Sequence, residues 1–289
     1  MAATVACIAG EEVYRQWDSG GIAGERLGRR NTPFGPSAEV FLVPGPGGDV
    51  YLMPRYGVDL AKTAPHRINY RANLYALKDL GVQGILAWGS GGAVTHNIAV
   101  GDLVVLDDLI DQTHLRARTF FEDSPLGFLR QFPVFCPALR RAAAAVLARM
   151  KLVHQSAGTA AVSEGPRMET PAEVRQLASL GAEVVTHSFV PEVFLARELQ
   201  MCYAAICYVV NYAETGSRHR PFMPGALFGG LTSPSEGERL AGVVGAMSQI
   251  VGNVVAAVAA EGRTCECDKT MAAHIRQYHL PADWHKWFS

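Results

Sequence analysis

Short unbroken apolar runs alternate along this chain with stretches in which apolar residues recur at helical intervals. Val5–Ala9 is apolar throughout and is stopped by Gly10, the pattern of a buried strand that ends in a turn. Ala38–Val43 and Asp49–Met53 flank Pro44-Gly-Pro-Gly-Gly48 and read as a hairpin. Between Ile68 and Leu80, apolar Ile68, Ala72, Leu74 and Leu77 predict a helix, with Gly81 as its stop. Gly84–Ala87 reads as another buried strand running into a glycine-rich loop, Gly89-Ser90-Gly91-Gly92. The alternation continues with a strand over Leu103–Leu106, an alanine-rich helix over Pro137–Leu152 and a strand over Gly158–Val162. A helix follows over Thr170–Leu180, where Thr170 and Glu173 have capping-box spacing. Then come a strand over Glu183–His187, a helix over Glu192–Leu199, a long buried strand over Ala204–Asn211 and one helix over Ser235–Ala260. Thr215–Thr232 is rich in Gly, Pro and Arg without a period, so a loop, and a lid, is expected there.

No linker or internal repeat interrupts this order. It predicts a single α/β domain over residues 1–289 on a mixed sheet with helices on both faces, ending in a tail over 262–289. In that tail Trp284 and Trp287 are apolar anchors expected to dock on this subunit or a neighbour. A formal net charge of −1 gives no basic surface for a nucleic-acid partner. The start lacks a basic leader region and carries Glu11-Glu12 at once, so no secretory leader is expected. Val251–Ala260 is too short for a bilayer and is broken by Gly252 and Asn253, so the expectation is a cytoplasmic protein with no membrane partner.

Of six cysteines, Cys7, Cys136, Cys202 and Cys207 lie among apolar residues and read as small buried hydrophobes. Cys265-Glu266-Cys267 is a C-x-C without a second cysteine or histidine pair at zinc spacing near it in sequence. No metal site is expected; a disulfide and two free thiols remain open.

Three segments carry chemistry: Ser163-Glu-Gly-Pro-Arg-Met-Glu-Thr170, Val190-Pro191-Glu192 and Asn211-Tyr212. Together they resemble the base- and ribose-binding walls of the trimeric purine nucleoside phosphorylases, which include the methylthioadenosine and methylthioinosine phosphorylases. The resemblance implies a nucleoside phosphorylase-like fold, a homo-oligomer (a trimer), and cleavage of a purine N-glycosidic bond by inorganic phosphate without a metal or organic cofactor. In the family, Asn at the position of Asn211 and Glu at that of Glu169 accompany 6-oxopurines. Ala213 stands where the 6-aminopurine enzymes keep an Asp. A carboxylate can accept from N1–H, and an amide can serve O6 and N7 together. Met168 and Ser188 fall at base- and sugar-binding positions; His187 replaces a family Met and is a candidate sugar partner or proton carrier. Phe128 falls where members lend a side chain to the next subunit. Tyr70 and Asn73 match a helix motif of the methylthio-nucleoside branch and read as structural.

The phosphate elements depart from the family. Its glycine-rich first turn is Ala9-Gly10-Glu11-Glu12, its Arg-His-Gly is Arg55-Tyr56-Gly57, and its threonine element begins at Gly89. Arg55, Ser90 and the backbone at Gly89 remain as phosphate candidates, with Glu11 expected to repel the anion or neutralise Arg55. Three outcomes stay open: phosphorolysis at a remodelled site, hydrolysis with Glu11 as general base on water, or a non-catalytic nucleoside-binding protein. The 5′ substituent of the nucleoside is not specified.

Overall fold

Val5–Ala9 forms β1, with every residue buried. The computed structural model describes residues 5–10, 12, 16, 19–58, 63–213 and 233–288. The expected lid over Thr215–Thr232 and the candidate Glu11 lie outside the described residues. Eleven strands make one mixed sheet, in the order β2-β3-β4-β1-β5-β10-β9-β7, with β11 on β5 and on β6 (Leu103–Val105), and β8 (His154–Gln155) on β6. The predicted hairpin is β3 (Gly35–Val43) and β4 (Val50–Pro54), paired antiparallel. Beyond it lies β2 (Glu25–Thr32), which the hydrophobic pattern misses because this edge strand is mostly polar and exposed. β7 (Asp108–Gln112), at the other edge, was hidden for the same reason.

β5 (Gly84–Ala93) organises the molecule. Its first half lies between β1 and β11 (Cys202–Tyr212), parallel to both. At its far end β1 is gone, and Gly92 and Ala93 pair antiparallel with Val185 and Val184 of β10 (Val184–Thr186) while still pairing with β11. Gly89-Ser90-Gly91-Gly92 is therefore strand and not loop, which corrects the sequence expectation. The glycines are there for close approach. A Cβ on Gly89 would lie 2.8 Å from the Phe189 ring and 2.9 Å from Ser188, and one on Gly92 would lie 2.9 Å from Asn211 Oδ1. The sheet forks where these residues sit, and a crevice at a change of strand neighbours is where open α/β sheets bind ligands.

Helices cover both faces. On one, α1 (Tyr70–Asp79) and α4 (Glu192–Glu198) set Leu74, Leu77, Val193 and Leu195 against the sheet, with Trp287 and Met271 of the tail in the same core. Trp284 and Phe288 pack with Tyr75, Phe34, Phe120 and Phe121, so the tail docks on its own chain. On the other face are α2 (Pro137–Arg149), α5 (Pro234–Gly245) and α6 (Met247–Glu261). The expected single helix over Ser235–Ala260 is thus two, bent by 45° at Ala246. Gly242 and Gly245 weaken helix propensity just before the break, where Gly and Ser neighbours commonly kink helices. No single helix among the described residues is long and apolar enough to cross a membrane.

Glu198 at the end of α4 is buried and accepts from the Thr119 hydroxyl (2.6 Å) and the Phe120 amide (2.7 Å). Burial outweighs both bonds and pushes its carboxyl up from 4.5 to about 7. The folded state therefore holds a proton that the unfolded chain releases near its ordinary value, so stability falls as pH rises through about 5 to 7. The full effect is on the order of 3 kcal/mol. Thermal unfolding of wild type should show this loss between pH 5 and pH 8, and Glu198→Gln should flatten it. Parallel profiles would exclude Glu198 as the titrating group.

Candidate active site

A cleft of about 600 Å³, measured to its open mouth, lies in the fork. β5 contributes Ser90, Gly91 and Gly92; the end of β10 contributes Val185, Thr186, His187 and Ser188; the end of β11 contributes Val210, Asn211, Tyr212 and Ala213. Tyr56, Met168 and Glu169 complete the wall. β11 carries a bulge between Val209 and Asn211, so Val210 is the extra residue that re-aims the strand end at the cleft. Thr186 ties the walls together, donating to the Ser90 carbonyl (2.6 Å) and accepting from the Ser188 amide (3.1 Å).

Asn211 is 1% exposed, and its Oδ1 has no hydrogen-bond partner among the described residues. A buried acceptor without a donor costs about 1–3 kcal/mol, which a ligand N–H would recover. Glu169 stands just before α3 (Pro171–Ser179), whose start is fixed by the predicted capping box and by Arg167 paired with Glu173. Glu169 accepts a short hydrogen bond from the Ser163 hydroxyl, at the end of β9 (Thr159–Ser163). Ser163 Oγ is also 2.8 Å from His187 Nδ1, which lies 3.4 Å from the Ser163 carbonyl. The hydroxyl hydrogen goes to Glu169, and a carbonyl only accepts, so Nδ1 is the donating nitrogen of this network and Nε2 is left outside it. Ser163 is a link that sequence reasoning missed.

Arg116 was also missed, because in Asp111-Gln-Thr-His-Leu-Arg116 it reads as a solvated loop residue. It is buried, and its guanidinium donates to the carbonyls of Ser163 (3.1 Å), Glu164 (2.9 Å), His187 (2.9 Å) and Val190. It also pairs with Glu164 at 3.1 Å. Burial disfavours the Glu164 charge, but the His114 and Leu115 amides and Arg116 hold its carboxyl below the usual range. Arg116 thereby clamps the signature loop to the end of β10, fixing Glu169 relative to His187.

The phosphate candidates divide. Ser90 and Ser188 line the cleft. Gly89 does not; it is a packing position under Phe189. Arg55 does not line it either. It is fully buried and donates to both carboxylate oxygens of Glu192 (2.5 and 3.1 Å) and to the Trp88 carbonyl (3.1 Å). Burial opposes its charge, but Glu192 more than compensates and holds the guanidinium protonated above its usual range. Glu192 is the partner that neutralises it among the described residues, and Tyr56 is the residue of that motif that reaches the cleft. A second acid, Glu12, sits beside Gly10 and bonds to Tyr208, which in turn meets Ser90. Burial pushes the Glu12 carboxyl up, toward its neutral form. Phe128 is 84% exposed and stands outside its own chain's cleft.

Comparison with known proteins agrees with this geometry. Residues 25–225 match the phosphorylase superfamily. A probable S-methyl-5'-thioinosine phosphorylase of Methanothermobacter thermautotrophicus is 38% identical over 211 residues, 73% of this chain and 72% of that protein. A probable 6-oxopurine nucleoside phosphorylase of Thermococcus kodakarensis is 38% identical over 216 residues, 72% of this chain and 79% of that protein. Among solved structures, methylthioadenosine phosphorylase from Schistosoma mansoni in complex with adenine superposes with a TM-score of 0.79 at 25% identity, covering 95% of this chain and 98% of that one. A family match through the whole fork, and relatives aligned over most of both chains, make this protein a member of the phosphorylase superfamily.

Proposed function

We propose that this protein is a purine nucleoside phosphorylase that favours 6-oxopurine nucleosides, including 5′-methylthio-modified ones. The observation that carries the reading is the convergence of Glu169 and the unsatisfied Asn211 amide on one cleft, with Ser188 and His187 at its sugar end. Glu169, oriented by Ser163, accepts from purine N1–H, and Asn211 serves O6 and N7. The Met168 side chain lies along the base. Ser188 and His187 Nε2 hold sugar hydroxyls as C1′ gains positive charge. A phosphate oxygen forms its bond to C1′ on the face opposite the base while C1′–N9 breaks. The electron pair leaves on the purine, which takes up, by way of solvent, the proton that hydrogen phosphate gives up, and the products are the free base and the ribose 1-phosphate. Such catalysis is positioning and preorganised electrostatics.

For the phosphate, Ser90 and Ser188 offer hydroxyls, and burial pushes the Glu12 carboxyl up, which lessens its repulsion of an anion. Exposed Phe128 and Phe132, at 84% and 92%, suit a subunit interface, and a homotrimer in which Phe128 reaches the neighbouring cleft is part of the proposal. So is a cytoplasmic setting, where such nucleosides arise.

The test is purine release from inosine, guanosine, methylthioinosine and methylthioadenosine, with and without phosphate, on a preparation whose mass is measured by light scattering. Release should require phosphate, yield ribose 1-phosphate in equal amount, favour the 6-oxopurines and come from a species of three chains. Phosphate-independent release would make water the nucleophile, and a single-chain mass would remove the shared site.

A further inference from the structure

Four of the six cysteines meet at one point. Cys136 precedes α2, Cys202 opens β11, and Cys265 and Cys267 follow α6 in the tail, yet their four sulfurs all lie within 4.8 Å of one another. Cys202 and Cys265 sulfurs are 3.3 Å apart, and all four residues are free thiols. No cysteine or histidine pair lies near the C-x-C in sequence, but Cys136 and Cys202, distant in the chain, are adjacent to it in the fold. Cys136 and Cys202 are buried in the hydrophobic core, as expected, and their sulfurs also face the C-x-C.

We propose that Cys136, Cys202, Cys265 and Cys267 form a tetrathiolate site for a structural zinc ion that fastens the C-terminal segment to the body of the protein. Zinc prefers four tetrahedral ligands, and Zn–S bonds of about 2.3 Å put the sulfurs about 3.8 Å apart. Two disulfides would instead draw the sulfurs into two separate pairs at bonding distance. Here every sulfur is near all three others, the arrangement of a shared centre. The C-x-C is shorter than the usual two-cysteine chelate, but both of its sulfurs reach the cluster.

Two cations lie near the four sulfurs. Arg197 lies in the field of Cys267 and Cys136, and Lys78 in that of Cys202. Zinc with four thiolates carries two net negative charges, and these cations offset them. Binding changes no oxidation state; zinc displaces up to four thiol protons to solvent. Two ligands lie beyond residues 25–225, the family-matched segment, so the site fastens a part of the chain outside it.

The full-length chain, purified without added metal or chelator, should hold about one zinc per chain by mass spectrometry. All six thiols should titrate after denaturation with chelator and no reductant. Cobalt(II) added to metal-free protein should give the intense visible bands of a tetrahedral thiolate centre, lost on adding zinc. Cys265→Ser/Cys267→Ser should abolish the zinc and lower the melting temperature by more than about 5 °C, with nucleoside cleavage retained at low temperature. Less than about one tenth of a zinc per chain and no cobalt bands would overturn the site, whether the thiols were all free or four were lost to disulfides. An undiminished zinc content in the double variant would do the same. If that variant did not fold, the wild-type metal content and cobalt spectrum would still decide.

Discussion

Asn211→Asp is expected to lower kcat/KM for inosine and guanosine about 10²–10³-fold while activity on 6-aminopurine nucleosides rises. The amide presents both a donor and an acceptor, which match O6 and the departing N7. A carboxylate keeps only acceptors, so it meets O6 with repulsion and leaves N7 without its partner. Loss of one preorganised donor of this kind is worth about 2.7–4 kcal/mol in the transition state. The bulge before Asn211 and the close packing on Gly92 fix its position, and Asp is nearly isosteric, so the fold should not change. The gain on aminopurines should be smaller than the loss on oxopurines, because Glu169 still faces N1, which has no proton in adenine. Adding Glu169→Gln supplies an amide N–H to that nitrogen and should extend the gain. Steady-state kinetics on paired substrates measure both steps, and unchanged selectivity in the single variant would mean that Asn211 is not the base anchor.

The base end was legible because its chemistry is concentrated in short motifs. The capping box at Thr170 and Glu173 fixes where α3 begins, and so where Glu169 stands. The strand ending in Asn211 was visible as an apolar run. The bulge that turns Asn211 inward was not, since nothing in Val209-Val210-Asn211 marks an extra residue. The phosphate end was harder. The three glycines around Ser90 suggest a loop on composition, but here Gly89 and Gly92 admit Phe189 and Asn211 against a central strand. Arg55 read as a phosphate candidate with Glu11 as its possible neutraliser, because Glu192 is 137 residues away in sequence. Arg116 and the four-cysteine cluster failed to appear for the same reason. Helical and strand periods report the face a residue takes in its own element, and the partners brought to that face by other elements are a property of the packing. β2 escaped for a different cause: an edge strand avoids pairing with other molecules by being polar, which erases the alternation that would reveal it.

Glu192→Ala should be the most destabilising of these changes, by about 3–5 kcal/mol, because it strands the Arg55 charge in the core. Both side chains are about 1% exposed, so water cannot replace the lost carboxylate. The melting temperature should fall by on the order of 10 °C. The apolar replacement Arg55→Met/Glu192→Leu removes both charges and should recover most of this loss, more fully with Tyr203→Phe, since the Tyr203 hydroxyl donates to Glu192 at 2.7 Å. The stabilised variant then separates two roles that Arg55 has been offered. If the guanidinium serves only to hold Glu192, Tyr203 and the Trp88 carbonyl together, the phosphate KM of the repaired protein should match wild type. If Arg55 turns a remaining N–H toward phosphate when the site fills, folding should be restored while the phosphate KM rises at least about tenfold and the nucleoside KM stays the same. The burial of Arg55 and its two hydrogen bonds to Glu192 favour the first result. Phosphate recognition then falls to hydroxyls and backbone amides around Ser90 and Ser188, with burial pushing the Glu12 carboxyl up.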